Sequence, residues 1–311
     1  MIESCLRSIL KIQDWEFELI VVNDRSTDKT SQILSLLASQ DKRIRIIDIL
    51  ETPPNWSPKK WAVTNGVEAA KHPWLFFTDA DCLVSEHWIS GMMKKRNENT
   101  EILLGISPYH EAAGFLNAII QYETINTAFQ YAGFACNGLP YMGVGRNLAY
   151  KKELFLKQNG LTKHAGVLSG DDDLFVNAAA NAQNTVCILQ PETFVLSIPK
   201  NNWKSWFTQK LRHVSASKHY QFQTNLFLGF YHLSLSGFLL FLLSAFFIVE
   251  SVLPVFIFFV YLVAKAMILR RFVKLFPAKI WYLYWILLEF FQLFYQFILV
   301  PISFLYQTKW K

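Results

Sequence analysis

Residues 226–306 run as almost unbroken aliphatic and aromatic sequence, and that stretch alone decides what kind of molecule the chain makes. Residues 226–249 carry no acidic or basic side chain apart from a histidine, and they are long enough to cross a hydrocarbon core of about 30 Å as a helix. A second apolar span covers 252–269 and a third 281–306. The buried helices of a soluble bundle would carry a polar stripe that these lack. Composition agrees: 52% of the 311 residues are hydrophobic and only 17% charged, too apolar for a wholly soluble protein of this size.

Lys265 stands near the end of the second span, where Arg270, Arg271, Lys274 and Lys279 follow, so its ammonium is expected to snorkel to that interface. The Glu250-Ser251 turn has no Lys or Arg, whereas basic residues precede the first span and follow the second. The positive-inside rule then puts residues 1–225 and the loop 270–280 in the cytoplasm. The chain is expected to be a multi-pass protein of a bacterial inner or plasma membrane. Three spans with no evident buried charge pair argue against a transporter, and Glu289 in the third is expected to face the bundle or the headgroups. The formal net charge of +6 is read as facing lipid rather than nucleic acid, because the basic residues border apolar spans. Cys5, Cys82, Cys136 and Cys187 lack any paired metal-ligand spacing, which points to neither a zinc site nor a disulfide framework and fits a reducing compartment. The first residues lack the basic-then-apolar profile of a signal peptide.

Residues 1–200 alternate short apolar runs with amphipathic segments. Helical spacing at 2–10, 30–39 and 61–71 is interleaved with strand-like runs at 17–22, 44–50 and 74–78. Such alternation predicts an α/β domain with a mostly parallel sheet flanked by helices, whose ligands bind beyond the carboxyl ends of the strands. A domain over 1–200, an interfacial amphipathic segment over 201–225 and a membrane domain over 226–311 follow.

The polar residues after the strands carry the chemistry. The run Trp74-Leu75-Phe76-Phe77-Thr78-Asp79-Ala80-Asp81-Cys82 is an apolar strand ending in two carboxylates one residue apart. Alternate residues of an extended chain share a side, so Asp79 and Asp81 are placed to converge on one hard divalent cation that keeps sites open for phosphates. Three further acids, Asp171, Asp172 and Asp173, follow Gly170 ahead of a helical pattern. A helix cap with solvated acids explains them as well as function does. As function, one of them is a general base whose pKa its acidic neighbours raise. The third cluster, 203–218, is basic and aromatic. An interfacial helix explains it, and so does stabilisation of a departing diphosphate.

Four motifs in order, Val21-Val22-Asn23-Asp24-Arg25-Ser26-Thr27-Asp28, Lys59-Lys60-Trp61-Ala62, Thr78 to Cys82 and Gly170 to Leu174, followed by Gln209-Lys210-Leu211-Arg212, resemble family 2 glycosyltransferases across roughly residues 1–218. Specificity lies in order and spacing rather than in any single motif. The resemblance implies a GT-A fold, an inverting mechanism and a cytosolic domain joined to membrane helices, as in cellulose synthase-like and ceramide glucosyltransferase-like members. It implies a nucleotide-diphosphate sugar donor, a Mg²⁺ or Mn²⁺ ion and a hydroxyl acceptor on a lipid, a lipid-linked molecule or a saccharide. By the same matching, Asp24 contacts the nucleotide base and Lys59 lies near the nucleotide. Asp79 and Asp81 form the Asp-x-Asp, with Asp81 the direct metal ligand. Asp172 is the catalytic base, or Asp171 if the motif shifts by one. Gln209 and Arg212 match Gln-x-x-Arg-Trp by the acceptor channel and diphosphate, but His213 stands where the family has Trp.

Family members open with a strand and a polar loop, whereas this chain starts at what the resemblance makes the first helix. Either that strand is encoded upstream of Met1, or the chain is a non-catalytic membrane protein retaining a truncated sugar-nucleotide fold. A haloacid dehalogenase-like phosphatase also places Asp-x-Asp after an apolar strand, but Cys82-Leu83 follows here where that class has Thr or Val.

Overall fold

The structure, a computed structural model, describes residues 1–277, 282 and 284–305. Lys279 and the expected ends of the third span, Trp281 and Tyr306, lie outside them. Among the described residues the chain divides into two compact units, Met1–His110 with Gln130–Ile198, and Glu111–Phe129 with residues 199–305.

The first unit alternates as the sequence does: α1 (Ile2–Leu10), β1 (Leu19–Asp24), α2 (Thr30–Gln40), β2 (Ile44–Ile49), α3 (Pro58–Ala69), β3 (Trp74–Phe77), β4 (Cys82–Leu83), α4 (Trp88–Met93) and β5 (Ile102–Leu104). After α5 (Phe115–Cys136), whose residues through Phe129 belong to the second unit, come β6 (Leu148–Lys151), α6 (Lys152–Lys157), α7 (Asp173–Ala179), β7 (Thr185–Cys187) and β8 (Leu196–Ser197). Parallel pairing joins β1 to β2 and β5 to β7. The expected mostly parallel sheet is in fact mixed, because β6 lies between β3 and β5 and runs against both. Leu148, the first residue of β6, pairs with Phe77 and Leu104, the last residues of its two neighbours, so the chain enters β6 at their carboxyl ends and can only run back.

Both faces of this sheet are covered, which is why its strands read as continuous apolar runs rather than alternating ones. Leu103 and Ala149 point to one side, into a core with Ile9, Trp88, Met92 and Val195. Their neighbours Ile102, Leu104, Leu148 and Tyr150 point to the other, against Val67, Leu75, Phe175 and Val176. Side-chain alternation in each strand thus serves two cores. The carboxyl ends of β3 and β5 are thereby held rigidly, and the loops that follow them inherit that order.

The second unit holds α8 (Trp203–Ala216), α9 (Phe222–Ile248), α10 (Leu253–Val273), α11 (Trp285–Phe294) and α12 (Val300–Leu305). Three stretches, Phe222–Ile248, Leu253–Val273 and Trp285–Ser303, are long and apolar enough to cross a membrane. On α8, Asn202 caps the first turn by accepting from the Ser205 amide at 2.9 Å, and Trp206, Lys210, Leu211 and Ala216 are buried. Lys210 meets Glu123 at 2.6 Å.

The snorkelling expected of Lys265 is overturned. Its ammonium lies 2.8 Å from Glu289, which is 1% exposed. Glu289 also accepts from Tyr122 at 2.7 Å, Trp285 at 2.8 Å and Tyr261 at 3.1 Å. The expectation of no buried charge pair in the spans falls with it. A carboxylate within reach satisfies an intramembrane ammonium inside the bundle, so the side chain has no need to stretch for the headgroups.

Candidate active site

At the end of β3 the apolar run stops, and the chain turns through Thr78 to Cys82 before β4 begins. Asp79, Asp81 and Cys82 place one potential ligand atom each within 4.8 Å of one another. Cys82 is fully buried. Burial, reinforced by the Asp79 charge, pushes its thiol up to about 12. Its Sγ lies 3.5 Å from Asp81 Oδ1 and donates to it. Two of the three groups are half-buried carboxylates, hard oxygen ligands that suit Mg²⁺ or Mn²⁺.

The second acidic cluster opens α7. Gly170 takes φ of +78°, a turn that favours glycine, and delivers Asp172 to the N-cap. Asp172 Oδ1 accepts from the Asp173 amide at 2.8 Å, and Oδ2 accepts from the amide of Gly145 in the turn ahead of β6. Withdrawal from water raises the Asp172 pKa, the neighbouring Asp171 adds to that, and Lys59 opposes it. The bland reading of these acids as a solvated cap does not hold, because Asp171 is only 13% exposed in its side chain and is ion-paired.

Lys59 joins the two clusters. Pro58 starts α3, and the Lys59 ammonium on that first turn lies 3.4 Å from Asp79 Oδ1 and 3.1 Å from Asp171 Oδ2. Loss of hydration lowers its pKa, but Asp171, Asp79 and Asp172 together hold it above the ordinary lysine value. Two acidic motifs far apart in sequence thus share one cation, in a geometry that presents carboxylates for a metal, a positive charge for phosphates and a carboxylate with raised pKa. Such a combination suits displacement at a phosphate-bearing carbon.

Three residues of this region escaped the sequence. Lys60, 1% exposed, donates to the His164 carbonyl at 2.7 Å, and burial pushes it down to about 8 against the pull of Asp171 and Asp172. Gly145 and Arg146 arrive through the register of β6. The Gly-Val-Gly-Arg pattern of 143–146 was the available sign.

Asp24, expected in the polar stretch after the 17–22 run, is instead the last residue of β1, and Arg25, in the left-handed region with φ of +54°, pairs with it at 2.8 Å. Its neighbour Asn23 donates to Asp48 on β2 at 2.8 Å. These polar residues crown a two-stranded sheet separate from the one whose β3 leads into Asp79. Gln209 and Arg212 are half-buried on α8, within the second unit.

The family model for Glycosyl transferase family 2 matches residues 1–157. A teichoic acid poly(glycerol phosphate) polymerase of Staphylococcus epidermidis is 34% identical over 110 residues, 35% of this chain and 14% of that protein. The uncharacterized glycosyltransferase EpsJ of Bacillus subtilis is 27% identical over 112 residues, 36% of this chain and 31% of its own length. The glycosyltransferase GlyG of Streptococcus pneumoniae is 28% identical over 102 residues, 32% of this chain and 33% of that one. The chain thus spans a third or less of these curated relatives. A mannosyltransferase of Pyrobaculum calidifontis, solved with GDP-mannose and Mn²⁺, superposes with a TM-score of 0.62 at 17% identity, over 99% of this chain and 84% of that one. The fold is GT-A.

Proposed function

Because the chain belongs to glycosyl transferase family 2, we propose that it is an inverting glycosyltransferase acting at the cytosolic face of a membrane. It moves a sugar from a nucleotide-diphosphate donor to a hydroxyl of a lipid, lipid-linked or saccharide acceptor. The observation that carries this reading is Lys59, whose single ammonium touches both Asp79 and Asp171 and so gathers the two acidic motifs into one site.

Asp172 is the base. Its raised pKa brings it closer to the range in which a carboxylate accepts a proton from a hydroxyl, and its two amide contacts fix its direction. As it takes the acceptor proton, the acceptor oxygen bonds to the anomeric carbon, the bond from that carbon to the donor phosphate breaks, and the electron pair leaves with the nucleotide diphosphate. Asp81 and Asp79 would hold a divalent cation, which would offset the charge of that diphosphate. The Mn²⁺ beside GDP-mannose in the mannosyltransferase of the same fold supports a metal here. Lys59 stands at the nucleotide side, and Asp24 at the base. By the family resemblance, Gln209 and Arg212 are assigned to the acceptor and diphosphate. The names of the relatives, one of them for teichoic acid, support polysaccharide biosynthesis as the setting.

Asp81→Asn and Asp172→Asn should each abolish sugar transfer by purified membranes while the protein still inserts. Substantial turnover by either variant removes that residue from its role. Tight nucleotide-sugar binding with no turnover by the unmodified chain would favour a non-catalytic protein instead.

A further inference from the structure

The turn that carries Gly145 also carries Arg146, which none of the roles above uses. The ladder between β3 and β6 fixes its place. Phe77 pairs with Leu148 in antiparallel register, so the residues just past the strands, Thr78 and Asp79 on one and Asn147 and Arg146 on the other, leave the sheet side by side. Asn147, fully buried, pins the turn by accepting from Trp88 Nε1 at 2.9 Å and donating to the carbonyls of Ile106 at 2.7 Å and Thr193 at 3.0 Å.

Arg146 is held as firmly. Nε donates to Ser107 Oγ at 2.7 Å, Nη1 to Tyr109 Oη at 2.7 Å and Nη2 to the Ser107 carbonyl at 3.1 Å. The guanidinium also lies 4.3 Å from the centre of the Tyr109 ring. Every one of these partners is neutral, and no carboxylate among the described residues comes within 4.0 Å of it. Asp79 acts on it only from farther away. A guanidinium has five N–H donors, and three are used here, which leaves one on each Nη. A half-buried cation with no carboxylate in contact is better stabilised once an anion meets its open face. A planar fork fixed by three hydrogen bonds and a ring is pre-organised for a bidentate oxyanion.

We infer that Arg146 binds a phosphate oxyanion of one of the substrates, beside Asp79 and one residue from the amide that orients Asp172. The inference rests on the transferase reading for which substrates those are, but not for the site itself. The phosphate belongs either to the donor diphosphate or to an acceptor that carries one.

The test is equilibrium binding to the full chain in detergent, with inorganic pyrophosphate plus Mn²⁺ standing for the donor and glycerol 3-phosphate for a phosphorylated acceptor. Arg146→Gln should weaken one probe about ten-fold or more. Loss of pyrophosphate names the donor, loss of glycerol 3-phosphate the acceptor. Loss of both at an unchanged unfolding midpoint names a shared phosphate site. Arg146→Lys, keeping the charge without the fork, should recover only part. Tyr109→Phe, keeping Arg146 but freeing Nη1, should weaken the same probe less. Unchanged binding in Arg146→Gln overturns the assignment. So does failure of the unmodified chain to bind either probe, or equal loss of both probes in all three variants together with a lowered midpoint. Sugar turnover by the unmodified chain is scored separately. Arginine-dependent binding without turnover sinks only the transferase reading, and turnover with arginine-independent binding sinks only this one.

Discussion

The backbone amide of Gly145 donates to Oδ2 of Asp172, and the α-carbon beside that amide has no room for a side chain. A methyl built on it would lie 2.9 Å from Oδ2 and 3.2 Å from Cβ of Asp172. Asp172 accepts on its other oxygen from the Asp173 amide, so it cannot swing away without breaking the cap of α7. Gly145→Ala should therefore displace the base rather than empty the donor site. A misplacement of this order costs about a hundred-fold in rate. Steady-state kinetics should show that loss in kcat with the donor KM little changed. A kcat close to the parent's would mean that Asp172 is not the base.

The acid limb of the pH profile follows from the same carboxylate. Asp172 works only when deprotonated, and its folded-state pKa is raised by withdrawal from water and by Asp171. Activity is then lost as pH falls through a value above the ordinary aspartate value of about 3.9. Asp171→Asn removes the like charge and should move the limb of kcat/KM to lower pH. Lys59→Met removes the opposing cation and should move it to higher pH. A limb that stays put in both variants belongs to another group.

What the sequence disclosed and what it hid follow from range. Asp79 and Asp81 were legible because an apolar run stops at them, and Asp171 to Asp173 because three adjacent acids after a glycine are locally costly. Lys59 needed the resemblance, since nothing local distinguishes it from Lys60, which turned out to be the buried one. Gly145 and Arg146 enter the site through the antiparallel register of β6, a strand of Leu-Ala-Tyr-Lys too short to announce its direction. The partner of Glu289 was hidden for a related reason, because periodicity identifies two apolar helices without saying how they rotate against each other.

Metal dependence should rest on carboxylates alone. Chelation should stop turnover, and Mg²⁺ or Mn²⁺ should restore it. Cys82 is buried, although its sulfur lies within 4.8 Å of the carboxylate ligand atoms, and burial pushes its thiol up to about 12 in the absence of a metal. Cys82→Ala should thus keep the same metal requirement with turnover within a few-fold, whereas Asp81→Asn should give no turnover at any metal concentration. A Cys82→Ala variant with a shifted metal preference, measured by titrating each ion into chelated membranes, would make the thiol a ligand.

Lys265 and Glu289 make the last prediction. Five donor contacts from four residues converge on one carboxylate that is 1% exposed. Removing one member of a buried ion pair leaves the other charge uncompensated, at about 3–5 kcal/mol. Lys265→Met strands the carboxylate, and Glu289→Gln strands the ammonium while keeping the side chain's shape. Each should lower the unfolding midpoint in detergent. The double variant should recover much of the loss, because neither charge remains and the coupling between contacting residues is not additive. Single variants that unfold like the parent would return Lys265 to the membrane interface and leave Glu289 held by its tyrosine and tryptophan donors alone.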